Sequence, residues 1–183
     1  EKSETQVWMV PTAGGEPIPL TAKGSSASHP RWSPDGKYLA FLAARGEHKT
    51  EVWLLNRNGG EAQELTEVQQ GVRSYEWSPD GSKLVLVLRD PSPEDIATQK
   101  EEQQGVKPAR PRTRPPWVID RLQTKRDYEG YLDRRRTHLY VFELATKKLT
   151  QITSGDYDDS QPAWSPNGRF LAFVSNRDKE PDA

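Results

Sequence analysis

Hydrolytic or transfer chemistry needs a base, and three histidines could supply one: His29, His48 and His138. His29 precedes Pro30, His48 falls in a short linker, and His138 opens an apolar run. None has a serine and an aspartate spaced as a nucleophilic triad would require. A Gly-x-Ser-x-Gly elbow, which exposes a serine on a sharp strand-to-helix turn, occurs nowhere in the chain. The sequence therefore offers no catalytic residue. Metal chemistry fares no better. Cysteine is absent, there is no H-x-x-x-H or D-x-D-x-D spacing, and Asp156, Asp158 and Asp159 read as a solvated loop. No metal and no cofactor are expected. Binding chemistry has one candidate set, Arg110, Arg112, Arg114 and Arg121, whose planar guanidinium groups suit a carboxylate or another anionic group. The same arginines could equally form a solvated basic face.

The elements that would position these residues follow from an internal repeat. Residues 6–45, 51–90 and 138–177 align without a gap over forty residues each. Each copy opens on an apolar strand pattern (QVWMV, EVWLL, HLYVF) and reaches a Leu-Thr or Ile-Thr pair at one offset. Each then runs through Trp32-Ser-Pro-Asp-Gly36, Trp77-Ser-Pro-Asp-Gly81 or Trp164-Ser-Pro-Asn-Gly168 into a second apolar strand. Proline presets φ at the second turn position, Asp or Asn suits the third, and glycine accepts the left-handed conformation that closes the hairpin. Apolar residues on both alternating sets of KYLAFLA predict a sheet buried on both faces. Trp32, Trp77 and Trp164 recur at one position, which marks them as packing between sheets; a single ligand site has no use for three equivalent copies. Arg45 and Arg177 also recur, at strand ends, where salt bridges to neighbouring turns are the simplest role.

A period near forty built of four short strands is the pattern of β-propeller blades. The predicted fold is all-β: a partial propeller of four-stranded antiparallel blades, about three blades' worth. Residues 5–21 supply two outer strands, 29–66 a blade, 73–90 plus 138–153 a second blade, and 160–176 two inner strands. Closed propellers use four to eight blades, so the chain is expected to be part of a larger ring, with edges open to homo-oligomerisation. The second full blade is interrupted by residues 91–137. Loop-closure entropy makes this long connection only about 2 kcal/mol costlier than a five-residue one. Residues 91–104 are polar and expected to be disordered. Residues 107–136 hold ten Lys or Arg against four Asp or Glu, and the aromatic stretch from Trp117 to Leu132 is expected to be ordered.

Composition sets outer limits. The formal net charge is −1 and apolar residues make up 33% of the chain, so nothing in the overall charge favours nucleic acid or an anionic membrane. No apolar run reaches the length of a membrane span. The lack of cysteine fits a cytoplasmic protein.

The repeat resembles the propeller repeats of TolB-like proteins and of the prolyl oligopeptidase family of serine peptidases. The run RPPWVIDRLQTKRDYEGYLDRRRTHLYVFELATKKLTQIT, followed by SGDYDDSQPAWSPNGRFLAFVSNR, is similar to the propeller of acylaminoacyl-peptidase-type members. The resemblance extends from Gln6 to Arg177. It implies a non-catalytic propeller that gates short peptides toward a C-terminal α/β-hydrolase domain carrying the catalytic residues. The alternative it leaves open is a TolB-like scaffold whose face binds a protein partner.

Overall fold

The computed structural model describes residues 4–46, 49–92, 95–96, 125–126, 130–131 and 135–177. Fourteen strands are formed among them. Strands β1 (Trp8–Met9) and β2 (Ile18–Pro19) pair as a short antiparallel ribbon. Strands β3 (Ala27–Trp32), β4 (Tyr38–Ala43), β5 (Glu51–Asn56) and β6 (Gln63–Glu64) form a four-stranded sheet in sequence order. A second four-stranded sheet contains β7 (Val72–Trp77), β8 (Lys83–Arg89), β11 (Thr137–Glu143) and β12 (Leu149–Gln151). Within the interruption, β9 (Lys125–Arg126) pairs with β10 (Gly130–Tyr131). Strands β13 (Asp159–Trp164) and β14 (Leu171–Ser175) close the series as a hairpin. All neighbouring strands are antiparallel. Among the described residues, the interruption holds a helical turn at Asp95–Ile96, the β9–β10 ribbon and, at its end, Arg136 and the first residue of β11. The stretches 97–124 and 132–134, with Trp117, Leu132 and most of 91–104, lie outside the described residues.

Each Ser-Pro-Asp-Gly turn has the same internal wiring. Ser33 Oγ donates to Asp35 Oδ1 at 2.7 Å and accepts from Tyr38 N at 3.0 Å, while Asp35 Oδ1 accepts from Lys37 N. Ser78 with Asp80, and Ser165 with Asn167, repeat the pattern. Gly36, Gly81 and Gly168 sit at φ of 67°, 71° and 68°, the left-handed region that glycine enters freely. The serine hydroxyl as hub of the turn was not anticipated from the sequence.

The recurrent threonines have an equally local task. Thr21, Thr66 and Thr153 accept hydrogen bonds from Val7 N, Val52 N and Leu139 N at 2.9–3.0 Å. Each thus satisfies a strand amide at the mouth of a sheet, where an unpaired donor would be costly. A bulge also recurs in β3, β7 and β13. His29 and Gln161 occupy it with φ of 52° and 50°, so His29 is a bulge residue of the framework.

The core lies between sheets. Ala40, Leu42 and Val52 of the first full blade pack against Tyr75, Trp77, Leu86 and Leu88 of the second. Val85, Val87 and Leu139 of the second pack against Trp164, Leu171 and Phe173 of the last hairpin. Trp77 and Trp164 therefore lie between blades. Trp32 is 47% exposed, because none of the described residues covers that side of β3. No helix of the described residues is long and apolar enough to cross a membrane.

Candidate functional site

The strand ends that carry Thr21, Thr66 and Thr153 share one face, and the interruption leaves and re-enters the second blade there. Three repeat positions on this face change character along the chain. The residue opening the third strand is Gln6, Glu51 and then His138. The residue opening the first strand of a blade is Ala27, Val72 and then Asp159. The position after the second strand is Arg45, Asp90 and then Arg177. The later copies thus put Asp90, His138, Asp159 and Arg177 where they can meet.

They do meet. His138 Nε2 lies 3.6 Å from Asp90 Oδ1, and its Nδ1 lies 3.6 Å from Asp159 Oδ2. Arg177 Nη2 reaches the same Asp159 oxygen at 3.3 Å while its guanidinium covers the Tyr157 and Phe173 rings. Asp159 is fully buried and His138 almost so. Burial alone would raise the Asp159 pKa, but hydrogen bonds from the Ser175, Thr153 and Arg177 side chains outweigh it and hold the carboxyl below its ordinary value. Asp159 is thus a buried anchor; the reading of Asp156, Asp158 and Asp159 as a solvated loop is corrected for it.

Arg136, 3% exposed, supports the same corner. Its Nε donates to Asp156 at 2.7 Å and its Nη1 to Asp158 at 3.3 Å, while its backbone N donates to Asp90 Oδ2. Asp90 N returns a hydrogen bond to Arg136 O at 2.7 Å, so the outgoing and incoming stems of the interruption clasp each other. Asp158 also accepts from the backbone and the hydroxyl of Thr137. At the outgoing stem, Lys49 pairs with Asp95, which is capped in turn by Ser92.

At the equivalent corner of the first blade, Glu51 accepts from Thr66 Oγ1 at 2.6 Å and Val68 N at 3.0 Å. Desolvation pushes its pKa up to about 7 despite these bonds, with Glu64 and Glu67 adding to the rise. Arg45 stacks on Trp53 at 4.4 Å from the ring centre; its role is cation–π packing, and no salt bridge from it is seen among the described residues.

Chemically, this face is a set of ion pairs, in which His138 Nδ1 and Asp159 Oδ1 are buried without a hydrogen-bond partner among the described residues. His29 contacts its neighbour Ser28 at 3.2 Å, but both are exposed and no carboxylate of the described residues orients the ring. His138 faces two carboxylates, and no hydroxyl nucleophile is seen beside it among the described residues. Among the described residues no group of three His, Asp or Glu side chains could hold a metal ion. His48 and the four arginines Arg110, Arg112, Arg114 and Arg121 lie outside the described residues. Sequence reasoning did not pick out Asp90, Arg136 or Asp159; the signal was there in Asp159, a charge standing where two repeats have Ala27 and Val72.

Four-stranded sheets of one repeating design, packed face to face with β3 against β7 and β7 against β13, decide the architecture. The chain is a partial β-propeller. Solved structures agree. Over 95% of this chain and 33% of the other, TolB from Acinetobacter baumannii superposes with a TM-score of 0.59 at 15% identity. Acylaminoacyl peptidase from Pyrococcus horikoshii matches 92% of this chain and 23% of the other, with a TM-score of 0.56 at 18% identity. In sequence, the propeller is 30% identical over 180 residues to a protein of Bacillus subtilis (strain 168) named "Uncharacterized peptidase YuxL". That match takes in 98% of this chain and 26% of the relative, so the propeller spans about a quarter of the curated relative's length. No family model matches the chain.

Proposed function

We propose that the chain is the propeller portion of an acylaminoacyl-peptidase-like serine peptidase. In this reading it controls the access of short peptides to an α/β-hydrolase domain carried elsewhere in a longer polypeptide. The observation that carries the reading is the match along nearly its whole length to part of a protein named as a peptidase. The ion pairs of the blade face are consistent with it: they tie strand ends and stems together. Within this proposal, the basic segment 107–136 attracts the anionic end of a peptide through Arg110, Arg112, Arg114 and Arg121. Such attraction fades beyond a Debye length of about 8–10 Å at physiological salt. The protein would act in the cytoplasm.

The test is to read the gene beyond Ala183 and to assay the longer product. A Gly-x-Ser-x-Gly elbow, with serine-dependent hydrolysis of acylaminoacyl or peptidyl chromogenic substrates, supports the proposal. A reading frame that ends without an elbow refutes it. That result favours the second reading, a TolB-like scaffold for a protein partner, which the structural likeness to TolB motivates. If the four arginines are replaced together in the longer product, turnover of acidic peptides should fall at low salt more than that of neutral ones. Equal effects on both would remove the arginines from the route.

A further inference from the structure

The corner of the first full blade repeats that of the last hairpin, with two of its side chains replaced by small ones. At the later corner Arg177 covers the Phe173 ring at 5.2 Å and the Tyr157 ring at 5.4 Å, and its Nη2 donates to Asp159 Oδ2 at 3.3 Å. The repeat places Arg45 at the position of Arg177 and Phe41 at that of Phe173, but Ser25 at that of Tyr157 and Ala27 at that of Asp159. Arg45 covers the Phe41 ring at 5.8 Å and the Trp53 ring at 4.4 Å. Rings thus hold its guanidinium in place, and its Nε is buried without a hydrogen-bond partner among the described residues.

An open hollow of about 470 Å³ lies at this corner, between the loop Ala22–Ser25 and the end of β4 at Ala44–Gly46. Ser25 and Arg45 both line it, and the exposed Lys23 adds a second positive charge. Glu4 brings a carboxylate to the same loop, but its Oε2 accepts from Gly24 N at 3.1 Å. The rest of the corner is assembled as in the later copy. Thr5 N donates to Ser26 Oγ as Thr137 N donates to Asp158 Oδ1, and Val7 N and Leu139 N donate to Thr21 and Thr153. The elements around Arg177 thus have their counterparts around Arg45, and the hollow opens where the Tyr157 ring and the Asp159 carboxylate have none.

We infer that this hollow binds a carboxylate that carries an aromatic group. The carboxylate lies on Arg45, and the ring takes the space that Tyr157 fills at the later corner. A guanidinium presents a planar fork of donors that matches a carboxylate. Stacking on Phe41 and Trp53 orients that fork without neutralising its charge, so less freedom is lost when a ligand arrives. The buried, unpaired Nε is the independent observation, because a polar atom left alone inside a native fold calls for a partner. A ring beside the carboxylate restores the cation–π contact that Tyr157 gives Arg177. The site belongs to the first full blade and does not depend on the peptidase reading. Its ligand is either a free aromatic acid or a peptide ending in an aromatic residue.

Nitrogen–proton correlation NMR of the isotope-labelled 183-residue chain tests this, with the indole N–H of Trp53 as reporter. That group donates to Ala43 O at 3.2 Å, directly beneath Arg45. Phenylacetate and the dipeptide Gly-Phe, titrated through the millimolar range at constant ionic strength, are expected to shift the Trp53 signal saturably. The tighter of the two identifies the source of the carboxylate. Phenylacetamide and Gly-Phe amide, which lack the charge, are expected to leave the signal in place, and acetate to bind several-fold more weakly than phenylacetate. Arg45→Gln should abolish the shift. Ser25→Tyr, which returns the ring of the later corner, should block it with an unchanged circular dichroism spectrum, since Ser25 borders open space. No saturable shift with either acid, equal shifts with the amides, acetate binding as tightly as phenylacetate, or shifts that persist in Arg45→Gln or Ser25→Tyr overturns the inference.

Discussion

Replacing Glu51 by glutamine should stabilise the protein above neutral pH and do little at pH 5. The carboxyl is 2% exposed at the mouth of the first full blade, and burial moves its pKa from 4.5 to about 7. In the unfolded chain the group loses its proton near 4.5, while in the fold it keeps it until about 7. Between those values the folded state binds more protons, so stability is full below the lower pKa and declines as pH rises through the higher one. A shift of this size corresponds to a little over 3 kcal/mol. Relaxation and water penetration around a buried carboxylate reduce the expected decline to about 2 kcal/mol. Glutamine removes the titration while keeping an acceptor for Val68 N. The chain contains a precedent, since Gln6 occupies the same repeat position and donates to Thr21 O at 3.2 Å. Urea denaturation at pH 5, 6, 7 and 8, at low protein concentration, measures the effect. The wild-type curve should fall with pH relative to Glu51→Gln, the gap opening by about 2 kcal/mol between pH 5 and pH 8. Two parallel curves would refute the claim that Glu51 is a desolvated carboxyl.

Other perturbations separate the framework's parts. Gly36→Ala should cost about 1 kcal/mol in urea denaturation, since a Cβ there meets nothing within 4 Å and the penalty is that of the left-handed backbone alone. Arg136→Met should cost about 2–3 kcal/mol, below the usual loss for a broken buried pair because Asp156 and Asp158 remain in reach of water; a change under about 0.5 kcal/mol would mean that the clasp is ornamental. Tyr75→Phe removes the hydroxyl that donates to His29 O at 2.9 Å and should cost about 1 kcal/mol. The 183-residue chain should not hydrolyse acylaminoacyl or peptidyl substrates; turnover abolished by a covalent serine inhibitor would contradict this.

What could be read from the sequence follows from the range of the interactions. The Ser-Pro-Asp-Gly turns were legible because proline, aspartate and glycine act within four residues, and repetition at a fixed offset tied three hairpins to one architecture. Even there a layer was hidden: Ser33, Ser78 and Ser165 looked like ordinary turn residues, although each hydroxyl bridges the turn carboxyl or amide to a strand amide. The corner that joins the second blade to the last hairpin was not legible. His138 reaches Asp90 and Asp159 from 48 and 21 positions away, and Arg136 reaches Asp156 and Asp158 across 20 and 22. Composition and local spacing carry no trace of such partners, so Asp159 looked solvated when it is fully buried.

The repeat itself held the missing clue, in its exceptions. Where two copies place small apolar residues, Ala27 and Val72, the third places Asp159; where two place Arg45 and Arg177, the middle one places Asp90. A charge at a framework position is stable only if complementary charges arrive with it. Arg136 and Arg177 are those charges, and both stand, with His138 between Asp90 and Asp159, on the face where the interruption leaves and rejoins the second blade. The first blade, which carries no interruption, meets the same position with Glu51, one threonine and one backbone amide. Divergence among the repeats therefore marks where this propeller carries its added segment, and similarity among them marks only how it is built.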